Sequence, residues 1–345
     1  MKKIAALIFI LIIIAGGTIV YLAVGSGTAF DERTKYFIIE DGKTDKASIL
    51  ETLENKNIIT HTTVFSLIAS QLKIWDKIKP GKYEVKKNET LLNIARMLKN
   101  NHQAQINLVI NKVRTKEEFA KLIGKSFSSD SSTVMNFLNS NDSLQPYHVD
   151  TSLAFTIIIP DTYTFYWNTS LRSIFNKLYA NNISFWEKNE RNKKAESIGF
   201  TPKQAYILAS IVEEETNIAE DKAKIASVYI NRLNKRMPLQ ACPTIKYAMK
   251  DFALTRIYEK YLLNPSPYNT YRNKGLPPGP ICTPSPKTID LVLNAPKTDY
   301  LFFVANSDFS GHSHFSSNFA EHSQYAKEYQ KALDLEMAKK KASEQ

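Results

Sequence analysis

Three consecutive glutamates, Glu213, Glu214 and Glu215, are the residues of this chain whose type and position could most readily do chemistry. They end an apolar run, 205–212, that has the pattern of a buried helix. Because successive helical residues are turned by about 100°, the three carboxyl groups cannot all face water equally. A carboxyl group at the edge of the apolar face would have a raised pKa and could donate a proton near neutral pH. The alternative is that all three are ordinary surface charges.

The residues upstream predict where this helix begins. Thr201 can cap it, Pro202 suits the first helical position, and Gln204 completes a capping box with Thr201. A second helix, 220–236, follows with one apolar stripe. Beyond it, 238–286 carries many prolines, and its stretch 275–280 (GLPPGP) is expected to be a restricted loop suited to the wall of a binding groove.

The composition indicates an ordinary globular protein. The 345 residues are enough for two domains, and 43% of them are hydrophobic and 23% charged. The formal net charge of +11 favours anionic partners such as phospholipid surfaces or acidic polymers. Nucleic acid is not expected as a partner, because the positive charge is scattered and no basic helix is interleaved with aromatic residues.

The N-terminal segment predicts a membrane anchor. Lys2 and Lys3 precede 4–24, an uncharged run rich in Ile, Leu and Ala, and about 20 apolar residues span a bilayer. The lysines favour a cytoplasmic tip at residues 1–3, which places the rest of the chain outside the inner membrane. A cleaved signal peptide is the alternative, with small residues at 25–29. Its apolar part is typically roughly 7–15 residues long, so the longer run favours a retained transmembrane helix.

The remaining pattern predicts an α+β protein with a small membrane-proximal module, 30–107, and a larger domain, 108–330. Residues 331–345 are expected to form a C-terminal helical tail with a frayed end. The predicted strands are 36–40, 80–85, 105–110, 300–305 and, as a continuation of the last, 312–315. Residues 156–166 are predicted to be a strand that enters a structured turn at Pro160 and Asp161. The further predicted helices are 46–55, 63–72, 90–100, 115–123, 133–138, 171–190, 288–294 and 318–337.

Other kinds of site are not indicated. His312, His314 and His322 include a half-site for a metal, but the spacing identifies no third ligand, so neither a metal nor another cofactor is expected. There is no GxSxG and no Walker motif, which argues against a serine hydrolase or an NTPase. Cys242 and Cys282 belong to no CxxC motif. Whether they form a disulfide is left open, because separation along the sequence does not give distance.

Several blocks resemble, in order and spacing, those of a known family. Residues 209–216 (ASIVEEET) resemble its ASIVEKET helix, and 226–233 (ASVYINRL) resemble ASVFINRL. Residues 239–244 (LQACPT) resemble LQSDPT, and 268–284 contain counterparts of YNTY, GLPPGPI and a later proline. The family is that of the YceG-like (MltG) endolytic murein transglycosylases. The resemblance runs from the anchor to about residue 325 and is strongest over 206–322.

The resemblance implies a single-pass inner-membrane protein with a LysM-like module at 30–107 and a periplasmic, transglycosylase-like catalytic domain. The implied reaction cleaves the β-1,4 bond between N-acetylmuramic acid and N-acetylglucosamine within the glycan strands of peptidoglycan. It leaves 1,6-anhydro-muramyl ends and limits strand length near cell-wall synthases such as penicillin-binding proteins. Ordinary glycosidases use two carboxyl groups, whereas a lytic transglycosylase can use one group first as acid and then as base.

The resemblance also implies roles for individual residues. Glu215 matches the catalytic glutamate and would be the general acid and base, while Glu213 matches a second motif glutamate and could assist, because an ionised neighbour raises the pKa of a carboxyl group. Glu214 replaces a lysine of the motif. The matching blocks contain seven candidate ligands for sugar hydroxyl and acetamido groups, each of which could instead be structural. They are Asn231, Gln240, Thr244, Tyr268, Asn269, Thr270 and Tyr271.

The chain departs from the family pattern in three places. Cys242 stands where the family has Asp, and the glutamate before the PDTY motif at 160–163 is absent. Residues 111–114 (NKVR) replace a PEG motif. Two other functions stay open: a hydrolase of the same substrate, with Asp161 or Glu213 as base, and a non-catalytic scaffold that binds glycan and recruits synthases.

Overall fold

The computed structural model describes residues 2–254 and 256–343. Met1 of the predicted cytoplasmic tip and residues 344–345 of the predicted tail lie outside the described residues. Within these ranges the chain combines α-helices with two-stranded sheets, which confirms the α+β class. The chain divides into two compact units: Met1–Leu108 with Ser126–Ser129 and Thr164–Ser170, and Val109–Lys125 with Asp130–Tyr163 and Leu171–Gln345.

The first helix, α1 (Lys2–Val24), is long and apolar enough to cross a membrane. Its segment Ala6–Val24 has a mean hydropathy of 2.8, and none of it is buried inside the protein. Phe9 and Tyr21 are 64% and 74% exposed. A helix whose apolar side chains are exposed along its whole length is suited to a lipid environment, where its backbone groups are already hydrogen-bonded to one another.

In the first unit, two antiparallel strands and three helices enclose one core. The elements are β1 (Thr34–Ile39), α2 (Lys46–Asn55), α3 (Thr62–Gln71), β2 (Gly81–Lys86) and α4 (Leu91–Lys99). Asp45 and Thr90 cap α2 and α4 by accepting a backbone N–H of the first turn. Phe37, Leu53 and Phe65 are buried in the core. The LysM-like character of this module stays a prediction.

The second unit is mainly helical, and α10 (Pro202–Glu215) lies at its centre. Residues 205–212 of α10 are all buried, and α11 and α14 pack directly on it. A helix that is apolar on all sides is expected in a core. The other helices from this part of the chain are α5 (Lys116–Ser126), α6 (Ser131–Leu138), α7 (Asn141–Leu144), α8 (Leu171–Glu187), α9 (Arg191–Ser197), α11 (Ala219–Asn234), α12 (Cys242–Met249), α13 (Glu259–Leu262), α14 (Pro286–Leu293) and α15 (Phe319–Ser343).

Two further pairs of strands complete the fold. Strand β3 (Gln105–Ile110) pairs with β4 (Asp161–Tyr166), and β5 (Phe302–Ala305) pairs antiparallel with β6 (Ser313–Ser316). The prediction that 312–315 continues the preceding strand is therefore wrong. The chain reverses between β5 and β6, and Gly311 there has a φ of +85°, which glycine adopts without strain.

The prediction that 156–166 is a strand entering a turn at Pro160 and Asp161 has the two parts in the wrong order. Ala154–Ile157 forms a 3₁₀ turn, and β4 begins only after Pro160. The prediction of one helix over 171–190 is also too long. Helix α8 ends at Glu187 because Asn189 and Glu190 adopt left-handed φ angles of 56° and 55°.

The proline-rich region 238–286 includes the predicted loop at 275–280, which forms neither helix nor strand, but the region is not a loop throughout. It contains α12 and α13. Pro243 lies in the first turn of α12, where the missing N–H of proline has no helical acceptor and therefore costs nothing. The number of prolines did not predict whether this region is helical, because proline is compatible with the first turn of a helix and disrupts only later turns.

Candidate active site

The start of α10 determines where the three glutamates emerge. Thr201 Oγ1 accepts the N–H of Gln204 at 3.3 Å, and Gln204 Oε1 accepts the N–H of Thr201 at 2.9 Å. This arrangement confirms the predicted capping box. Because the middle of α10 is buried, the side chains of Glu213, Glu214 and Glu215 leave the core at its far end, about 100° apart from one another.

Glu213 is held by a buried basic partner. Lys222 of α11 donates to Glu213 Oε2 at 3.0 Å, and Ser285 donates to the same oxygen at 3.1 Å. The two side chains of the ion pair are only 9% and 14% exposed. Burial by itself raises the pKa of Glu213, but hydrogen bonds from Thr288 and Lys222, with the charge of Lys222, lower it below its ordinary value. Glu213 is therefore a carboxylate at neutral pH.

Glu214 forms an ion pair with two basic residues. Lys112 Nζ lies 3.1 Å from Oε1, and Arg114 donates through Nε and Nη2 at 3.0 to 3.2 Å. The basic segment is itself fixed, because the N–H of Val113 donates to Thr283 Oγ1 at 2.9 Å and the N–H of Thr283 donates to the Val113 oxygen at 2.8 Å. Glu214, which is 14% exposed, therefore ties the end of α10 to this segment.

Glu215 differs from its two neighbours. Among the described residues no basic side chain lies within ion-pair distance of its carboxyl group, and Tyr229 of α11 donates its hydroxyl hydrogen to Oε1 at 2.5 Å. Burial raises the pKa of Glu215 to about 7, although the Tyr229 hydrogen bond and the charge of Lys246 act to lower it. The charge of Glu214 adds to the rise. A carboxyl group with this pKa can both donate and accept a proton at neutral pH.

Helix α12 and a nearby loop supply the other groups around Glu215. Cys242 and Lys246 lie one turn apart on α12. Cys242 Sγ lies 3.2 Å from the hydroxyl oxygen of Tyr271, and both groups are near enough to Glu215 to interact with its charge. The site thus combines a carboxyl group of raised pKa with tyrosine hydroxyls, a thiol and an ammonium group.

Three of the seven predicted sugar ligands are buried and bonded to the protein. The hydroxyl oxygens of Thr244 and Thr270 lie 2.8 Å apart, and both residues are at most 1% exposed. Asn269 is fully buried and donates to two main-chain oxygens of the preceding turn, at 2.9 and 2.7 Å. These contacts hold the loop that carries Tyr271 against the start of α12. Their burial supports a structural role for the three residues.

The other four predicted ligands differ in their surroundings. Gln240 is exposed, and Tyr268 and Tyr271 are partly exposed. Asn231 donates to the main-chain oxygens of residues 298 and 300, both at 2.9 Å. The structure therefore places Tyr271 beside Glu215, leaves Gln240 accessible, and gives the amide nitrogen of Asn231 a partner within the protein.

The fold and these groups can be compared with known proteins. The model of the YceG-like family matches residues 37–328, which is most of the chain. The chain belongs to the YceG-like family. A YceG-like protein of Listeria monocytogenes, known from a crystal structure, is 25% identical, with a TM-score of 0.56 over 85% of this chain and 99% of that chain.

Two curated relatives in this comparison are each named "Endolytic murein transglycosylase". The relative from Bacillus subtilis is 39% identical over 50% of this chain and 47% of its own length. The relative from Streptococcus pneumoniae is 26% identical over 94% of this chain and 64% of its own length. The chain thus spans about half to two thirds of the length of these relatives.

Two departures from the YceG-like pattern lie together in the structure. Glu214 occupies the position of a lysine, and 111–114 replaces the PEG motif that contains a glutamate. Glu214 forms its ion pair with Lys112 and Arg114 of this very segment.

Another departure, Cys242, is an exposed free thiol. Cys282 is a buried free thiol whose Sγ lies 3.4 Å from the main-chain oxygen of Ser210. The disulfide that the sequence left open is therefore not formed.

The histidines that suggested a metal half-site have other contacts. His312 Nδ1 lies 3.3 Å from Asp221 Oδ1, and the ring of His314 stacks on Tyr325 with centroids 4.1 Å apart. The ring of His322 stacks on Phe302 at 5.1 Å. Among the described residues no group of three or more His, Cys, Asp and Glu side chains could hold a metal ion.

Two residues beside Glu215 were not among the predicted site residues. Tyr229 falls on the apolar stripe of α11, and the pattern predicts only that it packs in the core. Its hydroxyl group was the available signal, because a buried hydroxyl needs a hydrogen-bond partner. Lys246 lies on α12, a helix that was not predicted because of the prolines around it.

Proposed function

We propose that this YceG-like protein is an endolytic lytic transglycosylase of peptidoglycan and that Glu215 is its general acid and base. The observation that carries this proposal is the state of Glu215: its pKa is raised to about 7 by burial, and one carboxyl oxygen is held by Tyr229. The names of the Bacillus subtilis and Streptococcus pneumoniae relatives support the substrate class. The proposed bond is the β-1,4 link between N-acetylmuramic acid and N-acetylglucosamine.

In the proposed reaction Glu215 first gives up a proton and then takes up another. Protonated Glu215 gives its proton to the glycosidic oxygen as the bond to the anomeric carbon breaks. The resulting carboxylate then takes the proton of the muramyl 6-hydroxyl group as that oxygen bonds to the anomeric carbon. Glu215 ends protonated, the product end is a 1,6-anhydro sugar, and no water is consumed. Tyr229 donates to Oε1, so Oε2 is the oxygen that carries the proton.

The surroundings of the other carboxyl groups support this reaction over a hydrolysis. A hydrolase of this kind needs a second carboxylate to activate water or attack the sugar. Glu213 is already bound to Lys222 and Ser285, and Asp161 is an exposed residue of β4 that accepts the N–H of Thr162 at 2.7 Å. We infer that Glu213 assists by orienting the end of α10 rather than as a base.

Substrate contacts are proposed for the accessible candidates. Tyr271, beside Glu215, would bind a sugar at the cleavage site, and Gln240 and Tyr268 would bind neighbouring units. Thr244, Asn269, Thr270 and Asn231 are proposed to act on the sugar only through the loops that they hold. A binding scaffold without catalysis is the remaining alternative, and it gives no reason for the raised pKa of Glu215.

The location and partners are also part of the proposal. We infer that α1 anchors the protein in the inner membrane, with a cytoplasmic N-terminus and a periplasmic catalytic domain. The first unit, with its strand–helix–helix–strand order over β1, α2, α3 and β2, is proposed to be the LysM-like glycan-binding module. Penicillin-binding proteins and other cell-wall synthases are the proposed partners, because strand length would be set where strands are made.

The test is the end-group chemistry of digested murein. Wild-type protein is expected to release fragments with 1,6-anhydro-muramyl ends from purified sacculi, and Glu215→Gln to lose this activity by about a thousandfold or more, because it removes the only group that transfers the proton. Reducing ends would favour the hydrolase. Undiminished anhydro product from the variant would remove Glu215 from its role, and binding without cleavage by the wild type would favour the scaffold.

A further inference from the structure

A cavity of about 290 Å³ lies at the opposite end of α10 from Glu215. One wall is a face of α8 formed by Tyr179, Asn182 and Trp186, which are three and four residues apart and therefore lie along one side of the helix. Other walls are formed by Tyr147, His148, Ile157, Pro202 and Lys203. Since α10 runs from Pro202 to Glu215, the cavity is roughly 20 Å from the carboxyl group.

Two buried polar side chains in the cavity wall each have an atom without a protein partner. Trp186 and Asn182 are only 5% and 8% exposed. Asn182 donates through Nδ2 to the Thr156 oxygen at 2.8 Å, but among the described residues nothing donates to its Oδ1, and the indole N–H of Trp186 has no acceptor. Neither atom is sealed from solvent. Water can therefore bond both atoms in the free protein, and a ligand that offers a matching acceptor and donor can replace it.

The two unpaired atoms are complementary to a secondary amide. The N–H of Trp186 can donate to an amide oxygen, and Oδ1 of Asn182 can accept an amide N–H. Positions four apart on a helix lie about 5–6 Å from each other at Cβ, so both atoms can reach one amide group. The wall at Ile157 suits the methyl group of an acetamide, and the ring of Tyr179 can pack on the apolar C–H face of a sugar.

We propose that this cavity binds an N-acetylated amino sugar of a glycan strand, at a site separate from Glu215. Its volume is near the lower limit of ligand sites, so it accommodates one sugar unit. The inference rests on the proposed glycan substrate. A glycan strand that occupies both this cavity and the site at Glu215 is bound at two points, one at each end of α10. Long strands are therefore favoured over fragments too short to reach both.

Tryptophan signals provide a direct test in the full-length protein. The chain has three tryptophans, so isotope-labelled Glu215→Gln protein in detergent gives three indole N–H signals, and Trp186→Phe identifies the signal of Trp186. Titration with N-acetylglucosamine is expected to move this signal, whereas glucose, which lacks the acetamido group, leaves it in place. The Glu215→Gln background prevents turnover during the titration.

A matched pair of variants gives the strength of the contact. Trp186→Phe retains a ring but removes the N–H, and it is expected to weaken N-acetylglucosamine binding at this cavity about threefold to tenfold, read from the Tyr179 ring signals. Trp167→Phe, the same substitution in the first unit, should leave the affinity unchanged. Equal affinity of both variants, an equal response to glucose, or no response of the Trp186 signal would each overturn the proposal.

Two further results separate the alternatives. An equal shift with N-acetylalanine methylamide, which has the amide but no sugar, would overturn the sugar assignment in favour of a peptide pocket. Murein cleavage tests Glu215 independently. If the Trp186 signal responds to the sugar but the wild-type protein does not cleave murein, this site is supported and the catalytic role is removed. If the protein cleaves murein but the Trp186 signal does not respond, the catalytic role is supported and this site is removed.

Discussion

The hydroxyl group of Tyr229 donates to Glu215 Oε1 at 2.5 Å, where α11 meets the end of α10. Tyr229 is 1% exposed, and its ring packs edge-on against Phe303 of β5 with centroids 5.9 Å apart. The β5–β6 hairpin thus holds Tyr229, and Tyr229 holds one oxygen of Glu215. Among the described residues no group donates to the second oxygen, which is available for proton transfer.

Removing the Tyr229 hydroxyl should change the pH dependence of catalysis. The hydrogen bond lowers the pKa of Glu215, so Tyr229→Phe should raise that pKa above about 7. Since the acid must be protonated, the alkaline limb of the pH profile of kcat/KM should move to higher pH. The maximal rate should fall roughly tenfold, because a charge-assisted hydrogen bond that positions the carboxyl group is lost.

Tyr206→Phe is the matched control for this experiment. Tyr206 is a fully buried residue of α10 whose hydroxyl group donates to the Ile158 oxygen at 2.6 Å. Its loss should lower stability and leave the alkaline limb where it is. A limb that moves equally in both variants would mean that the Tyr229 contact does not set the pKa of Glu215.

Glu215 should make the folded protein less stable as the pH rises. Its pKa is raised from 4.5 to about 7 in the folded state, so the folded protein binds the proton more tightly, and its stability falls as pH rises through this interval. The shift corresponds to about 3 kcal/mol above pH 7. Glu215→Gln, which cannot ionise, should therefore have a higher Tm than wild type at pH 8 and a similar Tm at pH 4. A difference in Tm that is independent of pH would contradict this.

The ion pair of Glu214 should tolerate exchange of its charges. Glu214→Lys alone places three positive charges together and should lower the free energy of unfolding by about 2 kcal/mol, a value reduced because Lys112 and Arg114 are one-third exposed. Adding Lys112→Glu and Arg114→Glu should restore most of the loss. Thermal unfolding of the single, double and triple variants measures the coupling. Additive losses in the triple variant would show that the pair makes no specific contribution.

An acid at position 242 should raise the pKa of Glu215 further. Cys242→Asp places a negative charge near Glu215, and like charges disfavour a second ionisation. The alkaline limb of the pH profile should move to higher pH, and the Tyr271 hydroxyl, 3.2 Å from the present thiol, can donate to the new carboxylate. Cys242→Ser, which adds no charge, is the control. If the pH profiles of Cys242→Asp and Cys242→Ser coincide, a charge at position 242 does not affect the pKa of Glu215.

Local sequence was sufficient for several elements and for the start of the helix that carries the three glutamates. The bounds of 46–55 and 105–110 and the capping box of α10 agree with the structure, because caps and apolar periods depend on residues within one or two turns. The same local rules failed where one residue type is common in two kinds of local structure. Pro243 was assigned to a loop, although proline also suits the first turn of a helix.

The three glutamates show where local information ends. They are adjacent in sequence, and only the resemblance to a family distinguished Glu215 from the others. Their environments come from distant residues: Lys222 and Ser285 bind Glu213, Arg114 binds Glu214 from 100 positions away, and Tyr229 binds Glu215. A pKa depends on burial and on every charge and donor within a few ångströms. Folding brings those groups together, so the difference in pKa between Glu213 and Glu215 could be explained physically only in the folded chain.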